Sequence, residues 1–310
     1  MFSNNPYSIA SRIRGRSDLQ TADITRTSVR VKRNKETDME SLAEEGQISV
    51  AGMALEYRLF GAVPSRSPTI VMLHEGLGSV STWGEFPRRV FERTGASVFV
   101  YSRAGYGASP PIEPGLPIDY IKRHALDVLP KILEAIGFSQ GLLLGHSDGA
   151  SMAAAYAGNV ADPRVHGLVL MAPHFCVEPE TLAEIRNARR AFETGDLRQR
   201  LARYHKYVDT AFRGWNDVWL DPRFARFNLR EDLAKISVPM LIIRGDGDRY
   251  GTHRQVHMAK EICKGPLETL LIPDCGHVPH REKPAQTVDA IARFYQRVLP
   301  QRTSKSQPKT

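Results

Sequence analysis

GLLLGHSDGASMAAAYAG, residues 141–158, joins a short apolar run to a glycine-flanked serine and then to a run of small side chains. The first part reads as a strand buried on both faces and the last as a closely packed helix, so Ser147 falls on the turn between them. Glycines at 145 and 149 are what such a turn needs, because the backbone there is strained and larger side chains would collide. The turn would present the Ser147 hydroxyl at the carboxyl end of a sheet. The first turn of the helix would aim backbone N–H groups and the positive end of its dipole at the same spot, where an oxyanion would form.

Further runs of the same kind lie on either side: TIVMLH (69–74), SVFVYS (97–102), VHGLVLMA (165–172), MLIIRG (240–245) and LETLLIP (267–273). Near-continuous apolar text of this length predicts strands buried on both faces, hence a parallel sheet. Period-two alternation on either side of Gly52 predicts an antiparallel hairpin ahead of them. Helical text covers about 84–94, 118–136, 148–158, 252–263 and 282–298; in the last, Thr287, Ile291, Phe294 and Val298 follow an amphipathic spacing. The βαβα alternation predicts a doubly wound, mostly parallel α/β sheet of about eight strands. Residues 175–238 break the rhythm, with helical text and then Trp215, Trp219, Phe224 and Phe227. They read as a helical cap inserted over the end of the sheet. The expected organisation is a basic arm at 1–45, a discontinuous core at 46–174 and 239–299, the cap at 175–238 and a basic tail at 300–310.

Composition narrows the classes. The chain has 310 residues, 42% apolar and 25% charged, the balance of a globular protein. No run approaches the roughly 18 apolar residues of a membrane span, and the mean hydropathy is −0.33. Cys176, Cys263 and Cys275 are an odd set without CxxC spacing, which argues against a disulfide scaffold and a thiolate zinc site and for a reducing compartment. The net charge of +8 resides largely in residues 1–38 and 300–310, leaving about +1 for the body, so a nucleic-acid partner is not expected. The arginines of the first 38 residues resemble a transit peptide, although Asp18 and Asp23 weaken that. The expected location is cytoplasmic, or mitochondrial if that arm is a targeting segment.

A serine hydroxyl is a weak nucleophile without a base. Asp274-Cys275-Gly276-His277 follows the last apolar run, and Arg244-Gly245-Asp246-Gly247-Asp248 follows the one before it, so an imidazole and a carboxylate fall on loops at strand ends. The order serine, acid, histidine, together with LHEGLGS (73–79), YSRAGYGAS (101–109), GHSDGAS (145–151), GDGD (245–248) and DCGHVPH (274–280), resembles the α/β-hydrolase superfamily over residues 46–299. The resemblance implies Ser147 as nucleophile, His277 as general base and Asp248 as the acid that orients it, ahead of Asp246 and Asp274. It also implies an oxyanion hole built from the backbone N–H groups of Gly76 and Asp148. Arg103 reads as a structural donor, and Leu77, His146, Trp215 and Trp219 as candidates for the substrate pocket.

Two acids depart from the family pattern, Glu75 in the oxyanion loop and Asp148 after the serine. Pointing inward, either would oppose an oxyanion and raise the pKa of His277. The alternative has Asp148 facing its helix N-terminus and Glu75 bonding to a neighbouring loop. The function expected from the resemblance is hydrolysis of a small carboxylic ester through an acyl-enzyme. The alternatives are a C–C bond hydrolase of ring-cleavage diketones, whose usual HGxGPG this chain lacks, and a slow-turnover small-molecule receptor on the same fold. No cofactor or metal is implied.

Overall fold

The computed structural model describes residues 43–112 and 115–299. The reading of the N-terminal arm as far as residue 42 and of the 300–310 tail lies outside them. The hairpin forms from β1 (Ala43–Val50) and β2 (Met53–Phe60), turning through Ala51 and Gly52 at φ 51° and 80°. Positive φ at both turn residues matches the right-handed twist of the paired strands. β1 thus begins at Ala43, inside the stretch expected to belong to the arm.

The apolar runs become β3 (Thr69–Leu73), β4 (Ser97–Tyr101), β5 (Gly141–His146), β6 (Val165–Met171), β7 (Met240–Gly245) and β8 (Leu267–Ile272). They and the hairpin form one eight-stranded sheet in the order β1-β2-β4-β3-β5-β6-β7-β8. β3 to β8 are parallel, and the hairpin joins antiparallel through β2 and β4. The helices are α1 (Phe86–Thr94), α2 (Tyr120–Arg123) running through a π turn into α3 (Leu129–Ala135), α4 (Asp148–Asn159), α5 (Pro179–Thr194), α6 (Leu197–Leu201), α7 (Val208–Leu220), α8 (Arg230–Leu233), α9 (Arg254–Ile262), α10 (Pro279–Glu282) and α11 (Pro284–Val298).

Continuous apolar strands are explained by cores on both faces of the sheet. Val71, Leu73, Leu143 and Leu170 face one, with Leu129, Ala153 and Leu233 from the helices; Ile70, Met72, Leu144 and Val169 face the other, with Val90, Ile291 and Phe294. Phe294 is fully buried, and truncating such a side chain to alanine costs about 3–5 kcal/mol. β8 departs from the expectation of two buried faces. As the edge strand it buries only Ile272 fully, and Leu271 stays 49% exposed.

β3 and β5 are neighbours, yet the chain leaves β3 towards β4 on one side and leaves β5 towards β6 on the other. This divergence opens a crevice at the carboxyl ends of the two strands. The loop 74–79 and Ser147 emerge there. Between β6 and β7 the chain inserts α5 to α8, and these helices touch the same end of the sheet: Trp219 Nε1 donates to the Tyr120 hydroxyl at 3.0 Å, and His205 lies 2.9 Å from the Leu77 carbonyl.

Candidate active site

Ser147 stands between β5 and α4 at φ 52°, ψ −116°, a conformation that costs a non-glycine residue strain of order 1–3 kcal/mol. The turn is held in place by the Ser147 N–H donating to the Met171 carbonyl at 2.9 Å. Both flanking glycines are required by space. A Cβ at Gly145 would sit 2.3 Å from the Gly149 carbonyl oxygen, and one at Gly149 would sit 2.1 Å from the Leu73 carbonyl oxygen.

His277 reaches this serine from 130 residues away, on the loop after β8, with Nε2 3.1 Å from Ser147 Oγ. Its Nδ1 lies 2.9 Å from Asp248 Oδ1 on the loop after β7. A carboxylate only accepts, so the ring proton belongs on Nδ1 and Nε2 is left to accept from the serine hydroxyl. Asp248 is buried, whereas Asp246 and Asp274 are exposed. Burial works against the Asp248 charge, but the His277 hydrogen bond, the Arg244 guanidinium and the Tyr250 N–H at 2.9 Å outweigh it and pull its pKa down to about 2.

The loop after β3 is fastened from below. The His74 ring accepts the Arg103 N–H at Nε2 and donates from Nδ1 to the Glu75 carbonyl, while the Arg103 guanidinium donates to the His74 and Glu75 carbonyls. Arg103 is thus the structural donor that its motif suggests. Among the described residues, neither the Gly76 N–H nor the Asp148 N–H donates to a protein acceptor. Over this loop lies Trp215 of α7, so close that a Cβ at Gly76 would sit 2.1 Å from the indole nitrogen.

The two unexpected acids are both engaged. Glu75 folds over Gly78 to place Oε2 3.4 Å from His146 Nδ1; burial opposes its charge, but the His146 contact holds its pKa well below the usual carboxylate range. Asp148 accepts from the Tyr120 hydroxyl rather than from its own helix, and burial, partly offset by Arg103, raises its pKa. His146, a pocket candidate from the sequence, is fully buried. Its ring edges onto Trp83 and His280, and its Nε2 donates to the His277 carbonyl at 2.8 Å. Of the other pocket candidates, Trp215 lies over Gly76, the Leu77 carbonyl meets His205, and Trp219 is buried edge-on to His174 at 5.2 Å.

The alpha/beta hydrolase family model matches residues 70–290, most of the chain. This chain belongs to the alpha/beta hydrolase family. It is similar to the proline iminopeptidase of Lactobacillus helveticus (strain DPC 4571), 23% identical over 282 residues covering 77% of this chain and 93% of that protein. Its fold resembles that of a membrane phospholipase A described as a bacterial virulence factor, with a TM-score of 0.69 and 22% identity over 83% of this chain and 87% of the other. A serine hydrolase involved in carbazole degradation superposes with a TM-score of 0.63 at 19% identity, covering 81% and 98%. No helix among the described residues of this hydrolase is long and apolar enough to cross a membrane.

The hydrolase also brings to the site residues that the sequence reading passed over. Tyr250 packs its ring 4.7 Å from that of His277 while its N–H supports Asp248; its position two residues after an aspartate is a local turn signature that points to it. His174 lies 5.5 Å from the His277 ring, and burial, with His277 beside it, lowers its pKa to about 3. His205 contacts the loop 74–79 from the insertion. Nothing in its local sequence announces that.

Proposed function

We propose that this hydrolase cleaves small carboxylic esters through an acyl-enzyme intermediate, with Ser147, His277 and Asp248 as its triad and α5 to α8 as a cap over the substrate. The observation that carries the reading is the unbroken line from Asp248 Oδ1 through the His277 ring to Ser147 Oγ, at 2.9 and 3.1 Å.

In this reading His277 Nε2 takes the hydroxyl proton as Ser147 Oγ attacks the ester carbonyl, and Asp248 stabilises the resulting imidazolium and its orientation. The Gly76 and Asp148 N–H groups receive the oxyanion. The Asp148 amide belongs to the first turn of α4, where the helix dipole adds to its field. Collapse of the tetrahedral species breaks the ester C–O bond, and the imidazolium returns its proton to the departing alkoxide. Water, deprotonated by His277, then attacks the acyl carbonyl and frees Ser147. Leu77, Trp215 and Trp219 bound the small acyl and alcohol groups. Three unpaired cysteines fit work in a reducing, cytoplasmic setting.

Hydrolysis of p-nitrophenyl acetate, butyrate and octanoate by wild type and Ser147→Ala tests this, with a fluorophosphonate probe for the nucleophile. Serine-dependent multiple turnover with a chain-length optimum supports the esterase. Labelling without ester turnover rejects it in favour of C–C cleavage or slow-turnover ligand binding, and preferential cleavage of proline p-nitroanilide rejects it in favour of a peptidase.

A further inference from the structure

His205 is buried at the junction of α6 and α7, and both of its ring nitrogens are engaged by backbone from two different core loops. The Gly107 N–H donates to Nδ1 at 3.0 Å, so Nδ1 carries no proton. The proton is therefore on Nε2, which donates to the Leu77 carbonyl at 2.9 Å. The neighbouring Lys206 N–H donates to the Gly107 carbonyl at 2.9 Å, so residues 205–206 clasp that loop through both backbone groups of one residue, Gly107. Tyr106, edge-on to the ring at 5.9 Å, closes the other flank.

Leu77 lies in the turn Glu75–Gly78, closed by the Gly78 N–H donating to the Glu75 carbonyl at 3.1 Å, and this turn carries the Gly76 amide. Arg103 and His74 hold its base through the His74 and Glu75 carbonyls. Its outer rim is fastened by a different part of the protein. We propose that His205 is a positioning residue, a latch by which the inserted helices fix the oxyanion turn, so that the Gly76 N–H reaches its working position only when the insertion is seated. The inference rests on the proposed oxyanion role of Gly76. It follows from the arrangement that catalytic competence and closure over the substrate are one event: the polypeptide that covers the site also aims one of its two oxyanion donors. A displacement of about 1 Å in such a donor is enough to cost on the order of 100-fold in rate.

Three variants test the latch. His205→Asn keeps an acceptor for the Gly107 N–H but is too short to reach Leu77. His205→Gln restores a donor of sufficient length, and Arg198→Ala removes the exposed Arg198–Asp209 ion pair elsewhere in the insertion. The readouts are the rate of fluorophosphonate labelling at Ser147, in which Oγ bonds to phosphorus and fluoride leaves while the P–O oxygen occupies the oxyanion hole, and kcat and KM for p-nitrophenyl butyrate. The latch predicts that His205→Asn slows labelling and kcat by about 10- to 100-fold with KM changed less than about threefold, that His205→Gln recovers most of the loss, and that Arg198→Ala matches wild type. Wild-type labelling by a folded His205→Asn variant overturns it. Equal losses in the Asn and Gln variants, or in Asn and Arg198→Ala, also overturn it, because they reduce His205 to general packing. Wild-type protein that labels at Ser147 but turns over no ester refutes the ester reading alone, since the labelling rates still decide the latch; wild-type protein that does not label overturns both.

Discussion

Trp215 lies against Gly76 with no room for a methyl group between them: a Cβ on Gly76 would come within 2.1 Å of the indole nitrogen. The side chain that covers the site therefore rests on the loop proposed to hold the oxyanion. Gly76→Ala should push the indole away and lower kcat/KM by about 100-fold or more through misplacement of the loop, with a red shift in tryptophan emission reporting the displacement. Trp215→Ala should act in the opposite sense on specificity, moving the chain-length optimum of p-nitrophenyl esters towards longer acyl groups. An unchanged optimum would remove Trp215 from the pocket.

Asp248 and Asp246 should separate sharply. Asp248→Asn puts an amide where only an acceptor fits the His277 Nδ1–H, favours the wrong tautomer and should lower kcat by about 10³- to 10⁴-fold. Asp246 is exposed, and Asp246→Asn should stay within about threefold of wild type. Because the fold depresses the Asp248 pKa to about 2, its ionised form contributes stability above the ordinary carboxylate range, and that contribution is lost as pH falls towards 2. Melting curves at pH 7 and pH 3 should therefore show a larger gap between wild type and Asp248→Asn at pH 7.

Asp148 has the opposite sign. Burial raises its pKa above the unfolded value, so the unfolded chain releases the proton first, and the ionised carboxyl subtracts stability once pH exceeds the ordinary carboxylate range. Asp148→Asn retains an acceptor for the Tyr120 hydroxyl and should raise Tm at pH 7, with the advantage disappearing near pH 3. A lower Tm at pH 7 would mean that the charge, rather than the acceptor, holds Tyr120.

Buried neutral histidines should make the protein acid-sensitive well above the carboxylate range. Burial, reinforced by nearby positive groups, lowers the pKa of His74, His124, His174 and His280. The unfolded chain takes up these protons first, so stability is full above about pH 6.5 and falls as pH drops below it. His174, with its buried and unpartnered Nδ1, is the cleanest test. Tm measured from pH 7 to pH 4.5 should decline less steeply for His174→Phe than for wild type, and parallel curves would contradict the assignment.

Ser147 was legible because everything that places it is local: an apolar strand, two glycines and a small-residue helix within eighteen positions. The parallel sheet was legible for a similar reason, since strands covered on both faces lose their alternation, and only the edge position of β8 escaped that rule. Motif order brought Asp248 and His277 into view, but only the path of the loop after β7 buries Asp248 and leaves Asp246 in solvent. The charges of Glu75 and Asp148 could be read two ways from sequence. Their side chains turn to His146 and Tyr120, partners 71 and 28 residues distant, and no periodicity encodes such a choice. Trp215 lies in a helix whose sequence specifies an apolar face but not what that face meets, and His205 lies in the link between two helices, where no pattern announces its partners. Sequence determines local geometry because backbone strain and burial act within a few residues. Tertiary structure decided which acid is buried and which side chains the insertion lowers onto the loop after β3, because those outcomes depend on how separately formed elements dock.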